Sequence, residues 1–569
     1  MLHGRRQQIF PDLGAVQGVT MSQTSMLSGV DRDDPLRVYR GGRVWVRRGV
    51  MTSAVAVRGA VVAALGRTAE GLVDEADEVV DLRSGLLLPA FGDGHCHPIF
   101  GGLEAQGPDV AHATSVSRIQ HALRDWADSH PGGDWIFAAS YDPALVEGGS
   151  FDARWIDEVV PDRPVWLRAH DYHTAWCNTK ALALAGITAD TPDPPLGRID
   201  RREDGSPKGT LREWGAVDLL LKVAPEPSRE ALDRALRTAC EEQNGCGVTW
   251  MQDAWVDGGM HLPYCDLLSR GELSVRSNLA FRADSRYWRG QFDGFRRARQ
   301  EVRDAGDAGL LDARTVKFFA DGVIESGTGA MLDPYVDAGG GRGMEVWDHD
   351  ELARAVTVAD SLGFQVHIHA IGDRAVRNAL DAIEAATLNN PGWDRRPVIT
   401  HVQLVDSVDV ERFADLGVIA NIESFWIQRD PVMVRLTEPR LGEARSRRQY
   451  ALADLREAGV MLSHGSDWPI SSNNPVQAIG RAVTRKTDRG LPQGGWIPEE
   501  RITVEDAIDM ATRGSAVQGF TEGFRGTLDV GRHADMVLLE RDITSIPPED
   551  IARTPVLGTW LDGSNVFRR

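Results

Sequence analysis

Cysteine is scarce: Cys96, Cys177, Cys240, Cys246 and Cys265 are the only five in 569 residues. They are scattered, odd in number and never spaced as Cys-x-x-Cys. That pattern argues against a disulfide framework and a thiolate zinc site, and it points to a reducing, cytoplasmic setting. Positive charge is also short, with 63 Lys and Arg against 83 Asp and Glu, a net charge of −20. A protein that grips phosphates needs a basic face, so nucleic-acid and anionic-membrane partners are excluded as expectations. No apolar run approaches the roughly 18 residues that would span a bilayer. The opening MLHGRRQQIFPDLGAVQGVTMSQTS lacks the apolar stretch of a signal peptide. Residues 1–30 read as a poorly ordered arm, and Met21 is an alternative start to Met1. Internal repeats and low-complexity tracts are absent as well.

What is present is a sizeable core, with 42% hydrophobic and 26% charged residues, in a chain too long for one ordinary domain. From 36 to 88 the text reads as short strands broken by turn residues: RVYRGGRVWV, TSAVAVRGAVVAALG and DEVVDLRSGLLLPA. The far end, 525–567, answers with GTLDVGRHADMVLLERD and PVLGTWLDGSNVFR, so a small β-sandwich assembled from both termini is expected. Residues 89–524 alternate apolar runs with amphipathic segments. Eight runs stand out: LLLPAFGDGHCH, GVTWMQDA, VRSNLAF, TVKFFADG, FQVHIHAIGD, RPVITHVQLV, GVIANIES and VMLSHGSD. Repeated strand–helix alternation predicts an α/β fold, a (β/α)8 TIM-like barrel, with an open doubly wound sheet as the alternative. Residues from about 100 to 240 exceed a minimal barrel and read as an inserted α/β subdomain near its mouth.

The polar residues in these runs carry the chemistry. His95 and His97 lie two apart on a strand, so both side chains share a face and can offer imidazole nitrogens to one metal ion. Lys317 sits inside an apolar run, where a free ammonium is costly to bury. His369, His401 and Asp467 end further runs, at the C-terminal strand ends where barrel active sites are built. His367 shares a strand face with His369 and is its rival as a ligand.

The chain resembles the amidohydrolase superfamily, and within it the amidohydrolase-3 or YtcJ-like branch that includes N-substituted formamide deformylases. The matching text is PAFGDGHCHP, DYHTAWCNTKALALAGI, GSPKGTLRE, TVKFFADGVIESGTGAMLDPY, HIHAIGDRA, ITHVQLVD, GSDWPI and GRHADMVLLERD. The resemblance implies metal ligands His95, His97, Lys317, His369, His401 and Asp467, with Lys317 carboxylated to a bridging carbamate. It implies one or two divalent ions; zinc suits the donors best, and manganese, iron and nickel also fit. Such a metal acidifies a bound water, and Asp467 acts as general base and then acid. Glu213 is a further candidate metal carboxylate, with a helix-start charge as its other reading. His173 and Asn178 are candidate substrate contacts, with helix capping as the alternative for that loop. Asp373 and Arg374 read as ties for the strand-five loop. Trp166, Trp176, Trp214, Trp255 and Trp426 are candidates for an apolar pocket wall, and Glu325 biases that pocket against anions.

The expected activity is hydrolysis of a non-peptide C–N bond in a small, neutral, partly apolar amide by a cytoplasmic enzyme, with a homodimer as the expected assembly. Deamination of a cyclic amidine or heterocycle is one rival, disfavoured by Lys317 and by the AIGD that follows His369. A non-catalytic metal-binding scaffold is the other, disfavoured by Asp467.

Overall fold

The computed structural model describes residues 31, 33–306, 309–337 and 340–569. The arm expected over 1–30 lies outside the described residues. Each of the eight apolar runs forms a strand of one parallel sheet: β1 Phe91–Cys96, β2 Val248–Val256, β3 Arg276–Arg282, β4 Leu311–Phe319, β5 Gln365–Ala370, β6 Val398–His401, β7 Ile419–Ile422 and β8 Met461–His464. These strands are buried on both faces, which is why they read as continuous apolar runs instead of alternating ones. Neighbours pair in chain order from β1 to β8. The sheet closes into a barrel at its mouth, where the Asp467 N–H donates to the His95 carbonyl and the His97 N–H to the Trp468 carbonyl, both at 2.7 Å.

Helices follow the strands and cover the barrel. Asp348 caps His349–Ser361 through the N–H groups of Asp350 and Glu351, and Asp406 caps Ser407–Asp415 through Val408. Inside the barrel, below the mouth, the side chains are polar instead of the branched aliphatics usual in such cores. Asn278 donates to Gln252 and Thr315, and Thr315 donates to Gln365. Gln365 donates to the main-chain oxygen of Gln518, whose side chain accepts from Asn421 and Ser463. Thr400 in turn donates to Asn421. All seven strands from β2 to β8 thus contribute one member to a hydrogen-bonded belt.

Strands from both ends of the chain share a second, eight-stranded sheet, joined where Met536–Leu539 pairs antiparallel with Leu86–Pro89. A register break between Arg40 and Val44 lets strand Leu36–Arg47 pair with Glu78–Asp81 by its first half and with Leu86–Pro89 by its second. Apolar clusters lie about Tyr39 and Trp560 and about Val38 and Ala56. Between β1 and β2 stands a five-stranded sheet of its own: Ile136–Tyr141, Val165–Ala169, Thr174–Cys177, Arg198–Arg201 and Pro207–Arg212. No helix among the described residues is long and apolar enough to cross a membrane.

Candidate metal centre

His95, His97, Lys317, His369, His401 and Asp467 are all buried at the C-terminal mouth of the barrel. Asp467 Oδ1 lies 2.9 Å from His97 Nε2 and 3.2 Å from His95 Nε2. Among the described residues that oxygen meets the two imidazole nitrogens without hydrogen-bond geometry, and the Lys317 Nζ has no hydrogen-bond partner. The His95 and His401 rings meet edge to face at 5.0 Å, and His401 and His369 at 4.4 Å. Donor atoms of His95, His401 and Asp467 come within 4.8 Å of one another. Buried lone pairs converging without hydrogen bonds are expensive unless something cationic joins them, so the donor set fits a metal ion. His401 and Asp467 also adopt left-handed backbone, with φ of +74° and +56°, a conformation non-glycine residues hold only where the surroundings enforce it.

The enforcement comes from a shell of carboxylates. Asp93 Oδ1 accepts from the Ser466 N–H at 2.9 Å and Oδ2 from the Ser466 hydroxyl at 2.5 Å, pinning the turn that presents Asp467. Glu423 Oε2 lies 2.9 Å from His401 Nδ1, and its Oε1 accepts from Thr400 at 2.8 Å. His369 Nε2 lies 3.2 Å from the Gly322 carbonyl and 3.5 Å from Asp321, which also accepts the N–H groups of Ala330, Ile371 and Gly372. Such partners orient ligand imidazoles. His367 sits one layer down: its Nε2 lies 2.8 Å from His95 Nδ1, its Nδ1 faces Gln252, and its ring stacks on His95. The structure therefore makes His367 a support for His95 and leaves His369 at the mouth.

Burial sets the electrostatics. It lowers the pKa of His95, His97 and His369, with help from neighbouring positive groups, and so favours the neutral imidazole a metal needs. Burial also lowers Lys317 to about 7, against the opposing pull of Asp467 and Glu423. At neutral pH a large share of that amine is unprotonated and nucleophilic.

The inserted subdomain reaches the mouth through His173 and Trp214. His173 follows strand Val165–Ala169 and its ring lies 5.5 Å from that of His369. Its Nδ1 is 2.8 Å from Glu213 Oε2, while Glu213 Oε1 accepts from Thr328. Burial alone would lower the His173 pKa; Glu213 outweighs it and raises the value. The carboxylate of Glu213 is thus taken up by His173 and Thr328, which corrects its reading as a metal ligand. Asn178 is corrected too: its Oδ1 accepts from Val165 and Ala181, and its Nδ2 donates to Val160 and Arg163, so it is spent on backbone. Trp166 and Trp176 pack in the insert's own cores and are no pocket wall. Trp214, Trp255 and Trp426 do surround the centre, 5.0 Å from His173, 6.1 Å from His97 and 5.2 Å from His401. Asp373 accepts from Leu332 and Arg374 donates to Met331, tying the strand-five loop as its sequence suggests. Asp93, Asp321 and Glu423 escaped the sequence reading; an acid closing an apolar run, as in FFAD and NIES, was the available signal.

A cleft of about 950 Å³ adjoins the centre. Val323, Trp426 and Trp468 are part of its lining, the six ligand side chains are not, and Trp426 stacks on His401.

The pattern of the Amidohydrolase family matches residues 78–567. The chain is 28% identical to the YtcJ protein of Bacillus subtilis (strain 168) over 94% of this chain and 99% of that one. It is 25% identical to the N-substituted formamide deformylase of Arthrobacter pascens, covering 92% and 96%. Among solved structures, an uncharacterized metal-dependent hydrolase from Pyrococcus horikoshii OT3 superposes with a TM-score of 0.70 at 24% identity, covering 90% of this chain and 99% of that one.

Proposed function

The chain belongs to the amidohydrolase family, and on that premise we propose that it is a metal-dependent hydrolase of a C–N bond in a small, partly apolar amide. The observation that carries the reading is the convergence of His95 Nε2 and His97 Nε2 on one buried oxygen, Asp467 Oδ1. We take His95, His97, His369, His401, Asp467 and a carboxylated Lys317 as the residues that hold one or two divalent ions, zinc by donor type. The bound cation would act as a Lewis acid and lower the pKa of water.

The chain's own residues do the rest. Asp467, held by the Asp93–Ser466 turn, takes the proton of the attacking water and returns it to the leaving nitrogen. His173, whose protonated form Glu213 favours, donates a hydrogen bond to the substrate oxygen as negative charge builds there. Trp214, Trp255 and Trp426 exclude water and hold the apolar part of the substrate. The likeness to a formamide deformylase supports a linear amide as the bond cleaved.

The test is metal analysis paired with turnover of N-formyl amines. Chelation should abolish activity, and zinc or manganese should restore it. Full activity with less than about a tenth of an equivalent of any transition metal would overturn the reading, because a catalytic site of this donor type needs its ion.

A further inference from the structure

The cleft in front of the centre has a charge pattern that the hydrolysis itself does not explain. Glu104, Asp109, Asp142, Asp171, Glu242, Glu325 and Asp430 line it, and no lysine or arginine does. Among the described residues none of these seven carboxylates lies in an ion pair with arginine or lysine, although the insert forms such pairs, Arg202 with Asp152 and Arg212 with Asp200. The basic groups in the wall are two histidines, His112 and His170.

The inner end of the cleft is the most specific part. Glu325 Oε1 accepts from Thr437 at 2.6 Å, and Asp430 Oδ1 accepts from the Met433 N–H at 2.9 Å. Burial raises the pKa of both; Asp171 and Asp430 add to it for Glu325, while for Asp430 the wall histidine His170 opposes the rise and Asp142 adds to it. Arg440 approaches Glu325, but its Nε donates to the main-chain oxygen and its Nη1 engages Asp337. Tyr450 is 2% exposed and lines the cleft, and its hydroxyl makes no hydrogen bond among the described residues. The electrostatic neighbours of that hydroxyl are the acids Glu325, Glu423 and Asp430, with Arg485 opposing them. Trp426 completes the group, stacked on His401 with 6° between the ring planes and also lining the cleft. It stands between the metal centre and the acidic wall.

Two carboxylates with no arginine or lysine ion pair, a phenol with no protein hydrogen bond among the described residues and an aromatic face are the elements of an ammonium site. We propose that the cleft selects substrates that carry a cationic group, an alkylammonium held by Glu325, Asp430 and Tyr450 beside Trp426, with the scissile amide beyond it at His401. This replaces the neutral substrate expected from sequence, and it rests on the hydrolase reading above.

Three probes of matched length test it: the N-formyl derivatives of 1,5-diaminopentane, hexylamine and 6-aminohexanoic acid, which end in an ammonium, a methyl and a carboxylate. With metal-loaded enzyme the cationic probe should exceed the neutral one by at least about tenfold in kcat/KM, through KM, and the anionic probe should be poorest. In the double variant Glu325→Gln/Asp430→Asn that ratio should collapse towards one. The ratio is taken within one preparation, so a poorly folding variant lowers both numbers without moving it. Calorimetric binding of the same probes to the slow variant Asp467→Asn separates the two readings. Selective binding of the cationic probe with no turnover by the wild type would sink the hydrolase reading and sustain the ammonium site. Equal turnover of the cationic and neutral probes, an unchanged ratio in the double variant, or no binding of any probe would overturn the ammonium site.

Discussion

His401 and Glu423 are joined Nδ1 to Oε2 at 2.9 Å, both buried, across the mouths of β6 and β7. The pairing fixes the imidazole plane so that Nε2 faces the centre. Glu423→Gln keeps the volume and removes the charge that makes His401 a better donor. Metal affinity should fall about 10- to 100-fold, the usual cost of losing such a partner. A competition titration with a chromophoric chelator measures it; an affinity within about twofold of wild type would reduce Glu423 to packing.

Lys317 offers a second test. Its amine titrates near 7 because it is buried. Carbamate formation needs the neutral amine, so reactivation of apo-enzyme by metal plus bicarbonate should be faster at pH 8 than at pH 6 when dissolved CO2 is held constant. The neutral fractions at those pH values differ by about tenfold for a group titrating near 7. Lys317→Ala should lose most activity and recover part of it with a short carboxylic acid. Full activity without bicarbonate dependence would make the lysine structural.

Asp467→Asn separates metal binding from proton transfer. Size and one oxygen donor survive, while the basic carboxylate is lost. The turnover rate should drop by about 10²- to 10⁴-fold, with metal content falling far less because the histidines remain. Retention of more than a third of wild-type kcat/KM would remove Asp467 as the base.

The His173–Glu213 pair bears on stability as well as chemistry. Its folded-state pKa is raised above that of the unfolded chain, so the pair's stabilisation is fully present below the unfolded value and fades as pH rises through the folded one. Glu213→Gln should therefore lower Tm more at pH 6 than at pH 9, measured on metal-loaded protein by calorimetry. At pH 6 the loss should approach the roughly 3–5 kcal/mol seen when one partner of a buried pair is removed. An equal loss at both pH values would mean that the pair is not charged.

Much of this was legible in the chain text. The eight barrel strands were visible because burial on both faces turns each into an apolar run, and His, Lys and Asp at the ends of such runs are conspicuous. The structure brings His95, His97, Lys317, His369, His401 and Asp467 to one mouth. What stayed hidden depends on contacts distant in sequence. Glu213 meets His173 forty residues away, and Asp93 holds Ser466 from 373 residues away. Asn178 lay in a motif that suggested ligand contact, yet its amide caps a helix, a choice decided by which backbone groups folding leaves unpaired. Of the acidic cleft only Glu325 was read from the chain, since the walls come together from the insert, the helix after β1 and the loops after β4, β7 and β8.

The polar belt beneath the centre separates what can vary from what cannot. Each member is bonded to a neighbouring strand, so a one-residue slip of any strand would break its bonds there and turn an amide or hydroxyl into the aliphatic shell outside. Register errors are thereby penalised at a level independent of the loops above. The donors at the mouth inherit their spacing from this floor, whereas the cleft walls stand on segments that do not touch it. Exchanging Glu325 or Asp430, or shortening the loop that carries Asp430, should redirect which amides are accepted while the ion stays where it is. In this barrel, selectivity is a tenant and the metal site is the foundation.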